Sequence, residues 1–231
     1  MVYTNKSRPQ SLPITVNNHT INEISETKFL GVMFDNKLTW NAHIKYISQK
    51  ISKSVALLKM LKFTFPTTVL KSLYYSLVYP YFNYCNTVWG GAACSQLTPL
   101  LLLQKKCVRI ISKVGYLDHT NPLFNDLKIL KLEDIYKVSC TKFIYQCYNN
   151  FHYVNFKDQL QPNSTYHGYE TRSRSLIRKP FQRLHQFKNS YLNKGIEIWN
   201  SLPPVIKSSK TFGLLKFKYK THLLSKYNPN I

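Results

Sequence analysis

The first part of the chain alternates between apolar and polar positions with the period of two that is typical of short β-strands. Segments 12–16 and 20–24 alternate on either side of Asn17-Asn18, a pair that tolerates the positive φ angles of a tight turn. Segment 28–34, which contains a glycine, predicts a third strand. A glycine inside a strand often marks a place where another backbone or a ligand approaches closely. The pattern therefore predicts a short antiparallel β segment at the start of the chain.

After Asp35 the spacing of the apolar residues changes from two to about 3.6, which predicts amphipathic helices. The first helix is predicted over 41–62, with Thr39 as its N-cap and with its lysines outside the apolar arc. This arc consists of Ile44, Ile47, Ile51, Val55 and Leu58.

A second helix is predicted from Pro66, because proline suits the first helical position, and Pro80 is expected to kink or end it. A third helix is predicted with Thr98 as its N-cap and Pro99 at its first position. Further helices are predicted near 121–130, 133–149, 191–199 and 211–224.

The predicted fold is α+β and predominantly α-helical. A short antiparallel β segment (1–36) is followed by a helical bundle (37–115) and a helical C-terminal extension (116–231). The extension contains a polar linker or exposed loop near 155–175. Five large side chains are predicted to lie in the core or at an interface: Trp40, Leu73, Tyr74, Trp89 and Trp199.

The charge balance is the strongest compositional feature, with 32 Lys and Arg against 10 Asp and Glu and a net charge of +22. Acidic residues are missing between Asp35 and Asp118, between Glu170 and Glu197, and after Glu197. Such an excess is self-repelling unless a polyanion relieves it, and nucleic acid is the commonest such partner, with an anionic membrane as the alternative. An AT-rich genome would explain the many lysines but not the missing acids.

One predicted helix face carries a cluster of cations. Lys105, Lys106, Arg109 and Lys113 share an arc of the third helix beside its apolar face. Most helices scatter their charges, so this clustering favours contact with a polyanion, although an ordinary solvated face stays an alternative. A second basic segment lies at 171–183 and includes Arg172 and Arg174.

Catalytic constellations are missing from the sequence. The acids are too scattered to hold a pair of catalytic metal ions, the seven His occur singly, and no glycine-rich phosphate loop is present. The five Cys have no C-x-x-C spacing and are expected to be buried thiols of a reducing compartment. The chain is therefore expected to bind no cofactor or metal, and to be intracellular, in the nucleus or cytoplasm, rather than secreted.

An ordered set of short motifs resembles the reverse transcriptases of non-LTR (LINE-type) retrotransposons, most closely those of the jockey type. The set begins with KFLGVMFD at 28–35, LTW at 38–40 and HI at 43–44. It continues with LYYSLVYPYFNY at 73–84, VWG at 88–90, LQKKCVRII at 103–111, YETR at 169–172 and WNSLP at 199–203.

The resemblance implies a position within a larger enzyme. Phe29, Leu30 and Gly31 would belong to the primer grip, 37–115 to the thumb, and 116–231 to a C-terminal extension. The family's paired metal-binding aspartates, in its F/Y-A-D-D motif, lie upstream of Phe-Leu-Gly and are absent here, so Met1 would be an internal residue of the family's palm. The expected function is RNA or DNA primer–template binding without polymerisation. The candidate binding residues are Phe29, Leu30, Gly31, Lys105, Lys106, Arg109, Lys113, Arg172 and Arg174.

Two other functions stay open at this point. The chain could be a polymerase subunit that borrows a catalytic palm from another chain, a function that no residue supports. It could also be a host-adopted basic protein that acts as an RNA-binding or membrane-surface adaptor. The resemblance also implies that the N-terminal strands 12–34 ordinarily complete a palm sheet, so here they are expected to present an open edge and to promote self-association.

Overall fold

A computed structural model describes residues 14–149, 160–166, 168–181 and 190–227 of the chain. Its N-terminal part consists of two separate antiparallel hairpins: β1 (Ile14–Val16) pairs with β2 (His19–Ile21), and β3 (Glu26–Phe29) pairs with β4 (Val32–Asp35). The predicted Asn17-Asn18 turn is confirmed, because both residues have positive φ. Leu12 and Pro13, which were predicted to belong to the first strand, lie outside the described residues.

The prediction of one continuous strand over 28–34 is wrong. Phe29 pairs with Val32, so Leu30 and Gly31 form the two-residue turn between β3 and β4. Both turn residues have positive φ, 46° and 82°, as hairpin turns of the primed type require. Gly31 is where a close approach occurs, because an added Cβ would lie 3.3 Å from the ring of Tyr84.

The first helix, α1 (Asn41–Leu61), buries the five apolar residues predicted for its inner arc. Its predicted N-cap, Thr39, is wrong, because Trp40 precedes the helix in a left-handed conformation. The carboxylate of Asp35 organises this entry, since it accepts hydrogen bonds from the amides of Lys37, Thr39 and Trp40 at 2.9–3.1 Å. The last residue of β4 therefore fixes the start of α1.

Three shorter helices follow: α2 (Thr67–Leu77), α3 (Tyr79–Asn83) and α4 (Asn86–Trp89). Pro66 is the residue before α2 rather than its first residue. The predicted interruption by Pro80 is confirmed, because α2 ends at Leu77 and Pro80 lies in the first turn of α3.

Helix α5 (Cys94–Ile111) begins earlier than predicted, so Thr98 is not an N-cap and Pro99 lies inside the helix. The side chain of Gln96 accepts a hydrogen bond from the amide of Ala93 at 3.2 Å, which stabilises the earlier start. The hydroxyl of Thr98 donates back to the carbonyl of Cys94, as it does within a helix.

The end of α5 also differs from the prediction, because Lys113 lies beyond the helix with a φ of 59°. The amide of Lys113 donates to the carbonyl of Ile110, and the amide of Val114 donates to the carbonyl of Arg109. These two bonds form a Schellman motif, in which the left-handed position is usually glycine.

The C-terminal part contains α6 (Thr120–Asp126), α7 (Leu132–Tyr148), α8 (Tyr191–Ser201), α9 (Pro204–Lys207) and α10 (Phe212–Ser225). The predicted helices near 133–149, 191–199 and 211–224 are therefore confirmed, and the one near 121–130 is shorter than predicted. None of the helices in the described ranges is long and apolar enough to cross a membrane. The predicted α+β, mainly helical fold is confirmed.

The buried residues form two hydrophobic clusters. The first lies among α1 to α6, the first turn of α7 and the end of α10, and it includes Tyr74 and Trp89. The second lies among the rest of α7 and helices α8 to α10, and it includes Trp199. The prediction that the large aromatic residues are buried is confirmed for these three, and Trp40 and Leu73 pack against the first cluster while partly exposed.

The polar segment near 155–175 is only partly a loose loop. Within its described part, Leu160 is buried in the second cluster together with Ile177. Pro162 forms a β-bridge with Ile177, and the amide of Asn163 donates to the carbonyl of Leu176 at 3.0 Å. Two apolar side chains thus anchor part of the predicted linker or exposed loop, and most of its other described residues are exposed.

The cysteines are free thiols, as expected. Cys107, Cys140 and Cys147 are buried, but Cys94 is exposed at the first residue of α5, so the prediction that all five are buried is wrong for Cys94.

Candidate nucleic-acid interface

An open groove lies between the C-terminal half of α1 and the C-terminal half of α5, with a volume of about 620 Å³. The apolar side chains Val55, Leu103 and Ile110 form its floor. Lys59 and Lys62 stand on the α1 side, and Lys106 and Arg109 stand on the α5 side. Two helices that pack side by side therefore bring four cations to one concave surface.

The four cations differ in whether their side chains have a partner within the protein. Lys62 donates to the carbonyl of Val114 at 3.1 Å, and Arg109 donates through Nε to the carbonyl of Asp118 at 2.9 Å. Lys59 and Lys106 are exposed, and the ammonium of neither residue makes an ion pair or hydrogen bond with a described residue. The first pair positions the rim, and the second pair is available to an anion.

No carboxylate lines this groove within the described ranges. The carboxylate of Asp118 lies next to it, where it accepts a hydrogen bond from the amide of Gly115 at 2.7 Å. The absence of acids from 36–117 in the sequence is the local cause, because every lining residue of the groove lies in that stretch. The cations of the groove are consequently not paired with a carboxylate of the lining.

Two aromatic rings stand at the rim. Phe63 is 84% exposed and Tyr116 is 73% exposed, and both line the groove. The ammonium of Lys62 lies 5.4 Å from the ring centroid of Phe63, and the guanidinium of Arg109 lies 5.9 Å from that of Tyr116. Exposed aromatic rings beside cations are the elements that hold unpaired bases and phosphates of single strands.

The basic face predicted on α5 is divided in the structure. Lys106 and Arg109 line the groove, but Lys105 is half-buried and lies on the side of Lys131. Burial is the main cause that lowers the pKa of Lys131, and the charge of Lys105 lowers it further. Lys113 lies outside the helix and does not line the groove, although the next residue, Val114, does.

The predicted primer-grip residues lie at the opposite end of α1. Phe29 and Leu30 are exposed at the tip of the β3–β4 hairpin, and the hydroxyl of Tyr84 donates to the carbonyl of Leu30 at 2.6 Å. A small cavity of about 380 Å³ beneath the hairpin is lined by Gly31 and Tyr84 together with α1 residues near Tyr46. At 1.5 Å per residue along α1, this cavity and the groove are about 20 Å apart. The structure does not bring the two predicted sets together.

The second predicted basic segment is partly neutralised. Arg174 forms an ion pair with Glu170, and Lys179 lies 3.5 Å from the carboxylate of Glu197. The guanidinium of Arg178 stacks on the ring of Tyr166 at 4.0 Å. Arg172 is exposed. This segment thus offers fewer available cations than its composition suggests.

Sequence reasoning missed half of the groove. Lys59, Lys62, Phe63 and Tyr116 were not predicted as binding residues, because the packing of α1 on α5 is a tertiary contact. A signal was present in the sequence: Lys59 lies outside the apolar arc of α1, inside the long acid-free stretch. In the described ranges, no group of three or more His, Cys, Asp and Glu is arranged to hold a metal ion.

Comparison with known proteins shows which class of protein the chain is similar to. The curated homologues of the chain are RNA-directed DNA polymerases of Drosophila transposable elements, jockey-like and other non-LTR ones, and they align with about half of it. The predicted resemblance is therefore confirmed as homology. No family model matches the chain, and no solved structure matches it.

Individual relatives include the RNA-directed DNA polymerase from mobile element jockey of Drosophila melanogaster, which is 33% identical over 134 residues. The probable RNA-directed DNA polymerases from transposon BS and from transposon X-element of the same species are 26% and 24% identical. These alignments cover 53–55% of this chain and 14% of each relative. The chain thus corresponds to a small part of the length of the relatives it matches.

Proposed function

We propose that this chain is a nucleic-acid-binding part of a retrotransposon RNA-directed DNA polymerase, and that the groove between α1 and α5 binds the sugar–phosphate backbone of RNA or DNA. One observation carries the proposal. Four cations face the groove, two of them exposed and without an ion pair in the described chain, and no carboxylate lines it there.

The binding mechanism follows from the two kinds of cation. Lys59 and Lys106 neutralise phosphates and release condensed counterions, which is the main source of sequence-independent affinity. Arg109 and Lys62 hold the rim through backbone carbonyls, so Phe63 and Tyr116 are presented at fixed positions. Unpaired bases can stack on these two rings without regard to sequence. We therefore expect binding that discriminates little between base sequences.

Polymerisation is not part of the proposal. Metal-dependent nucleotide transfer requires carboxylates that converge on a pair of cations, and the ten acids of the chain are scattered along the sequence. We propose that the chain alone extends no primer. Primer extension above a no-protein control, retained through repurification, would contradict this part of the proposal.

The test is a pair of charge-matched double variants. Lys59→Ser with Lys106→Ser removes the two available cations of the groove, and Lys45→Ser with Lys53→Ser removes two exposed cations of α1 that lie outside it. Binding of a fluorescent duplex is measured by anisotropy over a range of salt concentrations. The groove variant should lower the log–log salt slope by about 2, at roughly 0.9 per lost phosphate contact, and the control variant by much less. Equal slopes for the two variants would refute the groove.

Membrane-surface binding is a second candidate, favoured by a specific feature. Met60, Phe63 and Leu117 are all exposed near the basic end of α1 and α5. Apolar side chains beside lysines are typical of segments that lie on anionic bilayers. Retention by phosphatidylserine vesicles that the groove variant abolishes, together with unchanged oligonucleotide binding, would favour this candidate.

A further inference from the structure

A second cleft lies on another part of the molecule, among α2, α3, α7 and α10. Its volume is about 450 Å³, and it shares no lining residue with the groove between α1 and α5. Tyr75 and Tyr79 form one wall, Lys142 of α7 forms another, and Lys216 and Lys220 of α10 form the third. Asn83 and Ser139 add polar side chains to the lining.

The cations of this cleft repel one another. Lys216 and Lys220 are four residues apart and therefore on the same face of α10, where like charges are destabilising. Burial is the main cause that lowers the pKa of Lys220, and the charges of Lys71, Lys216 and Lys128 lower it further. No carboxylate contributes to that shift. Lys220, which lines the cleft, is thus surrounded by like charges from three segments of the chain.

Like Lys59 and Lys106, these cations have no anionic partner in the described part of the chain. In the described ranges, Lys137, Lys194 and Lys207 each bind a carboxylate or a backbone carbonyl. No described residue forms an ion pair or hydrogen bond with the ammonium of Lys71, Lys128, Lys142, Lys216 or Lys220. The ammonium of Lys142 makes only a contact with an aromatic ring there, 5.5 Å from the centroid of Phe212.

We propose that this cleft is a second phosphate-binding site, formed by Lys142, Lys216 and Lys220 with the hydroxyls of Tyr75 and Tyr79. A phosphate group supplies the negative charge that the cleft lacks, and its oxygens accept hydrogen bonds from ammonium and hydroxyl groups alike. Burial raises the pKa of both tyrosines, so their hydroxyls remain donors at neutral pH. A neutral or cationic ligand would leave the lysine charges uncompensated.

The site goes beyond the proposed function, because it stands on residues that the groove does not use. Two sources of phosphate fit the same chemistry: the phosphodiester of a nucleic-acid strand and a free phosphate anion. A strand that contacts both the groove and the cleft would follow a path around the helical bundle. A free anion such as pyrophosphate would occupy the cleft alone.

The experiment uses the full chain and the double variant Lys216→Ser with Lys220→Ser, with Lys45→Ser and Lys53→Ser as the charge-matched control. Two probes are used: a 16-nucleotide single-stranded thymidylate oligomer in anisotropy titrations over salt, and inorganic pyrophosphate in thermal unfolding. The cleft variant should lower the oligomer's salt slope by about 1.4, at roughly 0.7 per contact on single strands, or abolish the pyrophosphate-induced rise in Tm. Loss of the first response identifies a strand as the source, and loss of the second identifies a free anion.

Responses of the cleft variant that equal those of the control with both probes would overturn the site. Displacement of both probes from the wild-type chain by polyglutamate as effectively as by the oligomer would also overturn it, because the cleft would then recognise charge rather than phosphate. Lys216 is exposed and Lys220 half-buried, so circular dichroism checks that the fold is retained. The same titrations in the Lys59→Ser, Lys106→Ser background separate the two proposals, since the effect of the cleft variant should persist there whether or not the groove binds.

Discussion

The stretch 36–117, called the acid-free region here, and the region from Leu132 onwards stabilise their polar groups in opposite ways. In the acid-free region several buried polar groups have neutral partners: His43 accepts from the amide of Met33, and the indole of Trp89 donates to the carbonyl of Tyr84. Gln104 also belongs to this neutral set.

The region from Leu132 onwards relies on carboxylates instead. Asp134, which is buried, binds Lys137 at 2.6 Å and accepts a hydrogen bond from the hydroxyl of Tyr227. Glu197 lies within 3.5 Å of both Lys179 and Lys194. The difference shows why a count of basic residues locates a binding surface poorly. What matters is whether the fold already provides each cation with an anion.

The largest expected effect concerns the neutral network around Gln104, which is fully buried. Its side chain donates to the hydroxyl of Tyr74 and the carbonyl of Leu130, and accepts from the amide of Leu132, at 2.9–3.0 Å. Gln104→Leu keeps the volume but leaves these groups unpaired, so the free energy of unfolding should fall by roughly 3–5 kcal/mol, at about 1–3 kcal/mol per buried orphaned group. Urea unfolding measures this loss of unfolding free energy, and the exposed Gln49→Leu serves as control. A loss that varied with salt would contradict the neutral character of the network.

The next effect is a dependence of stability on pH. Burial lowers the pKa of His43 from 6.5 to about 4, so the folded chain holds this imidazole neutral while the unfolded chain protonates it below about pH 6.5. The stability contributed by neutral His43 is therefore complete at pH 7 and decreases as the pH falls towards 4, by roughly 2–3 kcal/mol. His43→Gln should flatten that part of the profile of unfolding free energy against pH. An unchanged profile would mean that other groups dominate the acid limb.

An effect of similar size tests the carboxylate side of the comparison. Tyr227→Phe removes the hydrogen bond to buried Asp134, which keeps Lys137 as its partner, and the one that the hydroxyl accepts from the amide of Lys131, so the loss of unfolding free energy should be about 2–3 kcal/mol. Thermal or urea unfolding measures the change, and the exposed Tyr148→Phe serves as control. A loss no larger than that of the control would show that the Asp134 group adds little to stability.

The smallest expected effect concerns the basic segment at 171–183, which is partly neutralised by ion pairs. Glu170→Gln with Glu197→Gln would release Arg174, Lys179 and Lys194 from their ion pairs. Exposed pairs are worth about 0.2–1 kcal/mol, so affinity for a duplex should rise only slightly and the salt slope by less than about one. Anisotropy titrations in which neither the affinity nor the salt slope rose above the wild-type values would overturn the contrast between available and paired cations.

Apolar periodicity was sufficient to predict α1, α8 and α10, because each buries a continuous arc of residues against its own cluster. It failed where a few side-chain or backbone groups decide the local structure. The turn at Leu30-Gly31 divides an apolar run, Asp35 replaces Thr39 in organising the entry to α1, and Gln96 starts α5 before Pro99.

The candidate site was also predicted only in part, because helical spacing shows which residues share one face of a helix but not which helices pack together. Lys106 and Arg109 follow from helical spacing on α5, and the structure places both in the groove. Their partners Lys59 and Phe63 come from another helix and its end, so only the packing of α1 against α5 could reveal them. The ion pair that makes Arg174 less available to a ligand joins it to Glu170, four residues earlier in the chain. This pair could have been predicted from the sequence alone.

The left-handed conformation of Lys113 carries an evolutionary consequence. Glycine would adopt this backbone without strain, whereas a side chain there costs on the order of 1 kcal/mol. Lysine at this helix end forgoes the stabilisation that glycine would give, as expected where stability is exchanged for activity. Lys113→Gly should make the chain harder to unfold while removing a charge next to Val114 of the groove. If the proposed groove is used, a lineage that lost the need to bind nucleic acid would be free to drift towards that more robust sequence.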